Sequence, residues 1–360
     1  MTDQPMQRNA GLDWVKTLAI GMVVAYHGFT ASVNTAAGLT ERINYFIYSV
    51  MCLGVPLFLL VNGYLLFSRP LDMKKHAAKT IRLVVLAVFW QAVTLLALMP
   101  AKGEWLSPGE LAAAVFYGRA GWTDHFWFLG ALAICYVFFP VAKAAFDHAR
   151  GGFWFFLGAT ALLTFGNTAL NMAANVLLVL LRGTGIETEN FFQMFNAYAG
   201  TYGFAVGYFL LGGALYALRE RVARVPAALL ASVLVISMLG QGVYGLMQSA
   251  WRGATWDSVF FGYDTIFALM GALCVFALGQ KAKPSGRARL CAQIGAMTLP
   301  MYLVQGIVIP WLLPRADVGA SGNLLFSLAF AAVVFALCAV IAGLLKRVPG
   351  IRALVKSVSG

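Results

Sequence analysis

LDWVKTLAIGMVVAYHGF, residues 12–29, is an apolar run broken by three ionisable side chains, Asp13, Lys16 and His27. Its length suits a helix crossing a hydrocarbon core of about 30 Å. At helical spacing Asp13, Lys16, Ile20, Val23 and His27 share one face. Lys16 and His27 are eleven positions apart, which is about 16 Å along a helix and close to the same azimuth. The spacing therefore predicts a cation at the cytoplasmic surface and an imidazole near the membrane midplane. A titratable ring inside a bilayer is costly, so it marks a candidate functional site.

The rest of the chain has the same character. It is 61% hydrophobic and 11% charged, where a soluble domain carries about 25% charged residues. The expectation is an all-α polytopic membrane protein, with residues 1–360 forming one integral-membrane domain. No polar stretch is long enough to bury a core of its own. The first apolar run, interrupted by Asp13 and Lys16, reads as a retained span rather than a cleaved signal peptide.

About ten transmembrane helices are expected, at 12–33, 44–67, 81–100, 125–142, 153–172, 200–218, 227–247, 259–280, 293–313 and 324–345. Lys and Arg alternate accordingly. With both termini cytoplasmic, twenty of the 26 basic residues fall on the inner side, as the positive-inside rule requires. The net charge of +12 is thus a product of topology, with anionic headgroups of membrane lipid as its partner and no nucleic acid implied. In 153–199 one tilted helix and a span followed by an interfacial segment are both open, and FFQMFNAY (191–198) suits the headgroup level. The five cysteines lack CxxC spacing and the four histidines lie far apart, so no metal site is expected.

Four constellations carry possible chemistry. His27 is either a packed interhelical contact, with Thr30 as its partner, or a general base that deprotonates an attacking hydroxyl. In KKHAAKTIRL (74–83), Lys79 and Arg82 share a helix face. They are either interfacial anchors or a cradle for a phosphorylated cofactor, and His76 is expected to be a solvated neighbour. GVPLFLLVNGYLLF (54–67) combines a kink at Pro56 with close approach at Gly63 and polar atoms on Asn62 and Tyr64. In TDHFWFLGALAICYVFFP (123–140), His125 and Trp127 suit either an interfacial anchor or the recognition of a sugar. Asp264 is placed just inside the eighth span from the outer side, as an interhelical contact or an acceptor contact.

Taken together, these stretches resemble the acyltransferase-3 family of integral-membrane acyltransferases, in particular its branch that acetylates bacterial surface polysaccharides. LDWVKTLAIGMVVAYHGF is similar to the family's opening helix, GVPLFLLVNGYLLF to its second, Lys79/Arg82 to its basic pair and HFWFLGALAICYVFFP to its His-x-Trp-Phe span. The resemblance implies His27 as the catalytic residue and Lys16, Lys79 and Arg82 as contacts to acyl-coenzyme A, most simply acetyl-coenzyme A. It implies a glycan or lipid-linked saccharide acceptor, with His125, Trp127 and Asp264 as substrate contacts, in a bacterial inner membrane. The chain departs from the family in having Lys16 where Arg is commoner and Asn62 where Ser is usual. In MTLPMYLVQGIVI (297–309), Gln305 stands where a late His often occurs. A transporter of a lipid or sugar conjugate, without acyl transfer, is the alternative expectation.

Overall fold

The computed structural model describes residues 9–183, 202–282, 288–316 and 323–349. These residues form helices joined by short connections, with no strand among them. In chain order the helices are α1 (Ala10–His27), α2 (Leu39–Phe67), α3 (Met73–Lys102), α4 (Pro108–Tyr117), α5 (Asp124–His148) and α6 (Arg150–Arg182). They continue with α7 (Gly203–Ala217), α8 (Ala227–Arg252), α9 (Ile266–Gln280), α10 (Ala288–Gly295), α11 (Thr298–Arg315) and α12 (Leu324–Leu345). Helices α2, α3, α5, α6, α8 and α12 are each long and apolar enough to cross a membrane. Helices α10 and α11 form a further apolar pair bent by 68° at their junction, while α7 and α9 are shorter. Every segment expected to be helical contains a helix.

Outward faces stay apolar. Helix α3 exposes Ile81, Val84, Val85 and Phe89, and α12 exposes Leu325, Val333 and Val340. Such surfaces suit hydrocarbon as the solvent, where helices satisfy all their backbone groups internally.

Helix α1 is the hub. It packs against α2, α9, α10, α11 and α12, and Val15, Ala19, Ile20 and Val24 are fully buried. Its start is fixed by Asn9, whose side-chain oxygen accepts from the N–H groups of Gly11 and Leu12, a standard N-cap. Its end falls earlier than expected. The helix stops at His27 instead of running to residue 33. The following segment is held by other elements: the Thr30 N–H donates to Ser327 Oγ, and the Asn44 side chain donates to the Ser32 carbonyl. His27 therefore occupies a helix terminus. At 1.5 Å per residue it lies about 25 Å from Ala10 and about 16 Å from Lys16 along the helix axis.

Two local features set the neighbouring walls. Pro56 cannot donate to the carbonyl of Cys52, and the helix there tightens into a 3-10 turn over Val50–Leu53. Beyond it, α2 and α7 touch backbone to backbone: a Cβ at Gly63 would collide with the carbonyl of Phe209, and one at Gly212 with that of Leu60. This is the close small-residue approach common between membrane helices. Helix α6 is continuous over Arg150–Arg182 through a π-turn at Leu162–Gly166. The FFQMFNAY segment lies outside the described residues.

Candidate active site

His27 is exposed, and the space it meets is internal: it lines a chamber of about 470 Å³ and a second cavity of about 170 Å³. Its position in the last turn of α1 matters chemically. The carbonyl end of a helix favours a positive charge, as an imidazole acquires when it accepts a proton. A carboxylate adds to this field. Asp257, in the connection before α9, is near enough for its charge to act on the His27 ring. Its Oδ2 accepts from the Tyr26 hydroxyl at 2.9 Å. Its Oδ1 accepts from the Tyr48 hydroxyl at 3.0 Å and from the N–H groups of Val259 and Phe260, both at 2.9 Å. Four donors thus fix one carboxylate beside the histidine.

The larger chamber is lined by His27, Asp124, His125, Trp127, Phe260 and Tyr263 among others. Trp127 stacks on Tyr202 with ring centroids 4.8 Å apart and planes 11° apart. Phe204, Phe260 and Tyr263 pack around the same indole, so its orientation is fixed. His125 lies edge-on to His27, with centroids 6.4 Å apart. Its backbone carbonyl accepts from the Tyr302 hydroxyl. The start of α5 therefore delivers His125 and Trp127 to the same chamber as His27, as the family's motif implies.

A narrower passage of about 70 Å³ lies on the other side of this chamber, nearer the start of α1. Lys16, Asn62, Tyr136 and Thr298 line it, with Phe128 and Tyr302 at the boundary it shares with the chamber. The Tyr136 hydroxyl donates to Asn62 Oδ1 at 3.2 Å, and the ammonium of Lys79 sits over the Tyr136 ring, 5.5 Å from its centroid. Lys79 is also within electrostatic range of Lys16 and Arg69. Arg69 has a buried Nε without a partner among the described residues. Three cations thus gather at this end: Lys16, Lys79 and Arg69. Arg82 lies on the exposed side of α3. His76 differs from the expectation of a solvated neighbour. It is buried, its Nε2 2.7 Å from the Tyr136 carbonyl, because it projects from α3 toward α5.

The remaining expected residues fall elsewhere. Asp264 accepts from the Thr168 hydroxyl at 2.7 Å, tying the start of α9 to α6, and it lines neither cavity at His27. The Thr30 hydroxyl makes no bond to His27. Asp257, Arg69, Tyr302 and Tyr48 were not singled out from the sequence. Asp257 sits in TWDSVFF with nothing local to separate it from Asp264. Arg69 directly follows the Asn-Gly-Tyr helix, and its proximity to the basic pair was a usable signal. No cluster of three or more His, Cys, Asp or Glu that could hold a metal occurs among the described residues.

A multi-pass bundle with a histidine open to an aromatic chamber, and a passage lined by Lys16 adjoining that chamber, describes a membrane protein with a polar site inside its helices. A family model described as an acyltransferase domain, Acyl_transf_3, matches residues 9–343. The chain belongs to this family and is a multi-pass membrane acyltransferase. Comparison with curated proteins and with solved structures gave no match.

Proposed function

We propose that the protein moves an acyl group, acetyl in the simplest case, from cytosolic acyl-coenzyme A to a hydroxyl of a cell-surface or lipid-linked glycan, in a bacterial inner membrane with both chain termini cytoplasmic. The supporting observation is the position of His27, open to the large chamber whose inner boundary, Phe128 and Tyr302, also closes the passage that begins at Lys16. The donor's phosphates fit the cations Lys16, Arg69 and Lys79, with Arg82 following on the same helix. Arginine suits this task because its fork binds phosphate oxygens in pairs. The pantetheine arm then follows Asn62 and Tyr136 toward the chamber.

The reaction needs one proton shuttle. A neutral ring nitrogen of His27 accepts the proton of the acceptor hydroxyl as its oxygen attacks the thioester carbonyl. The carbon–sulfur bond of the tetrahedral intermediate then breaks, and the departing sulfur takes that proton, leaving an ester and free coenzyme A. The imidazolium formed on the way is supported by Asp257 and by the carbonyl end of α1. The acceptor rests against Trp127 and His125 at the chamber's outer side.

The test is transfer of labelled acetyl from acetyl-coenzyme A to lipid-linked saccharides in inverted vesicles. Wild-type protein is expected to transfer label, and His27→Ala to lose about 10²–10⁴-fold in rate, the usual share of a general base. Wild-type vesicles that transport a saccharide but consume no acetyl-coenzyme A would establish the transporter reading instead.

A further inference from the structure

The cavity of about 170 Å³ shares His27, Asp124 and His125 with the chamber and has unpaired polar atoms on its lining residues. It is lined by His27, Trp122, Asp124, His125, Gln305 and Gly306, with Pro310 at its edge. Gln305 is 1% exposed. Both atoms of its amide, and Nε2 of His125, are buried and have no partner among the described residues. Buried polar groups are nearly always paired, so each orphan needs a cause. Three orphans on the wall of one cavity have a common one.

Helix α11 has two special positions at this cavity. Gly306 stands where any Cβ would overlap the imidazole of His125, so glycine is what lets that ring reach the cavity. Pro310 lies four residues on, inside the helix, and can donate nothing to the Gly306 carbonyl. The residues that line the cavity therefore carry an unpaired donor and acceptor on Gln305 and an unpaired ring nitrogen on His125. Each sugar hydroxyl both donates and accepts, and a pair of neighbouring hydroxyls matches such a set. Trp122 supplies an apolar face beside it.

We propose that this cavity is the acceptor-specificity subsite of the acyltransferase reaction given above, and that Gln305 reads a sugar hydroxyl adjacent to the one His27 deprotonates. The inference rests on that reading of the reaction. Gln305 is a specificity-determining residue: its amide accepts from and donates to the neighbouring hydroxyl, and it takes no part in proton transfer. A site built to bond a hydroxyl discriminates strongly against an analogue that lacks it, because the protein's own polar groups then stay unpaired.

The experiment uses full-length protein in vesicles, labelled acetyl-coenzyme A, and octyl glucoside with its single-deoxy analogues as acceptors. Wild type is expected to acetylate the parent glycoside and to reject one deoxy analogue by at least about 100-fold in kcat/KM. Gln305→Leu is expected to lose most of that preference, by slowing on the parent while keeping its rate on the rejected analogue. Gln305→Glu, which keeps the acceptor oxygen, should retain part of the preference. Equal loss on every acceptor by Gln305→Leu, with unchanged preference, overturns the specificity role in favour of a structural or oxyanion role. A variant that is as selective as wild type also overturns it. Transfer to lipid-linked saccharides but to no glucoside overturns the subsite proposal alone, while failure of wild type on both, with His27→Ala indistinguishable from it, overturns the underlying acyl-transfer reading itself. Thermal stability measured in parallel separates a folding defect: Gln305→Met, of similar length and no hydrogen-bonding amide, must fold like wild type and show the same lost preference as Gln305→Leu.

Discussion

The passage and the chamber meet at the same two rings, Phe128 and Tyr302, and differ in nearly everything else. The passage is about 70 Å³ and has Lys16 in its wall, with Lys79 within electrostatic range of both Lys16 and Arg69. The chamber is about 470 Å³ and is walled by Trp127, Tyr202, Phe260 and Tyr263. One side thus presents charge beside a small volume, and the other presents aromatic surface around a larger one. A phosphorylated donor with a slender arm and a broad polyhydroxylated acceptor make those two opposite demands. His27 lines the chamber and Asp257 lies beside it; in the reaction proposed above, the acceptor's proton is handled where the acceptor rests and only the thioester crosses the boundary.

The sharpest way to break this division is at Asp257. Asp257→Asn keeps the size of the side chain and removes its charge from beside His27. At an effective dielectric near 20, a charge pair about 6–12 Å apart contributes about 1.4–2.8 kcal/mol, so kcat should fall about ten- to a hundredfold with KM for acetyl-coenzyme A unchanged. Steady-state kinetics on both substrates decide it. A donor KM that rises while kcat holds would place Asp257 in binding and remove it from proton transfer.

Next in size come the cations. Arg69→Gln and Lys79→Gln should each raise KM for acetyl-coenzyme A by about tenfold while leaving kcat and acceptor preference in place, since a hydrogen bond to a charged group contributes about 1.5–3 kcal/mol. Arg82→Gln, on the exposed side of α3, should do less than either. If Arg82 proves as important as Arg69, the donor's phosphates reach further around α3 than the passage itself implies. On the opposite side, Trp127→Ala should weaken the acceptor about three- to tenfold and leave donor KM alone, in line with about 0.5–1.5 kcal/mol for an aromatic contact. Isothermal titration with each substrate separates the two effects.

These two regions were unequally legible in the sequence. Polarity within an apolar run is a local signal, so His27 and Lys16 could be picked out at once, and the His-x-Trp-Phe stretch carried His125 and Trp127 with them. Helix existence was legible for the same reason. What depends on the third dimension was not. The apolar run continues past His27 and so predicts a helix to residue 33, yet α1 ends at His27: the chain beyond is held by Ser327 and Asn44, about 300 and 17 residues further on, which no local pattern records. His76 looked solvated amid lysines, but its register on α3 turns it into α5. Asp257 and Asp264 were indistinguishable as isolated acids near the outer surface. Only the meeting of Tyr26, Tyr48 and the Asp257 loop shows which one lies beside His27, while Thr168 bonds the other.

The smallest expected effect bears on the boundary itself. Phe128 is buried, 5.4 Å from the Tyr302 ring and 6.1 Å from that of Phe58 by ring centroids. It therefore closes the passage from the chamber by packing, with no polar group to hold it. Phe128→Leu keeps an apolar side chain of smaller reach, so the boundary leaks without collapsing. Water in the chamber then gains access to the thioester, which a closed site excludes. Release of coenzyme A in the absence of any sugar acceptor should rise by less than tenfold, a change of under about 1.4 kcal/mol in barrier, while acceptor-dependent transfer stays near wild type. Thiol titration of released coenzyme A measures the first, and label in the saccharide measures the second. If hydrolysis does not rise, the donor arm does not cross at Phe128, and the thioester must enter the chamber along a different face of Tyr302.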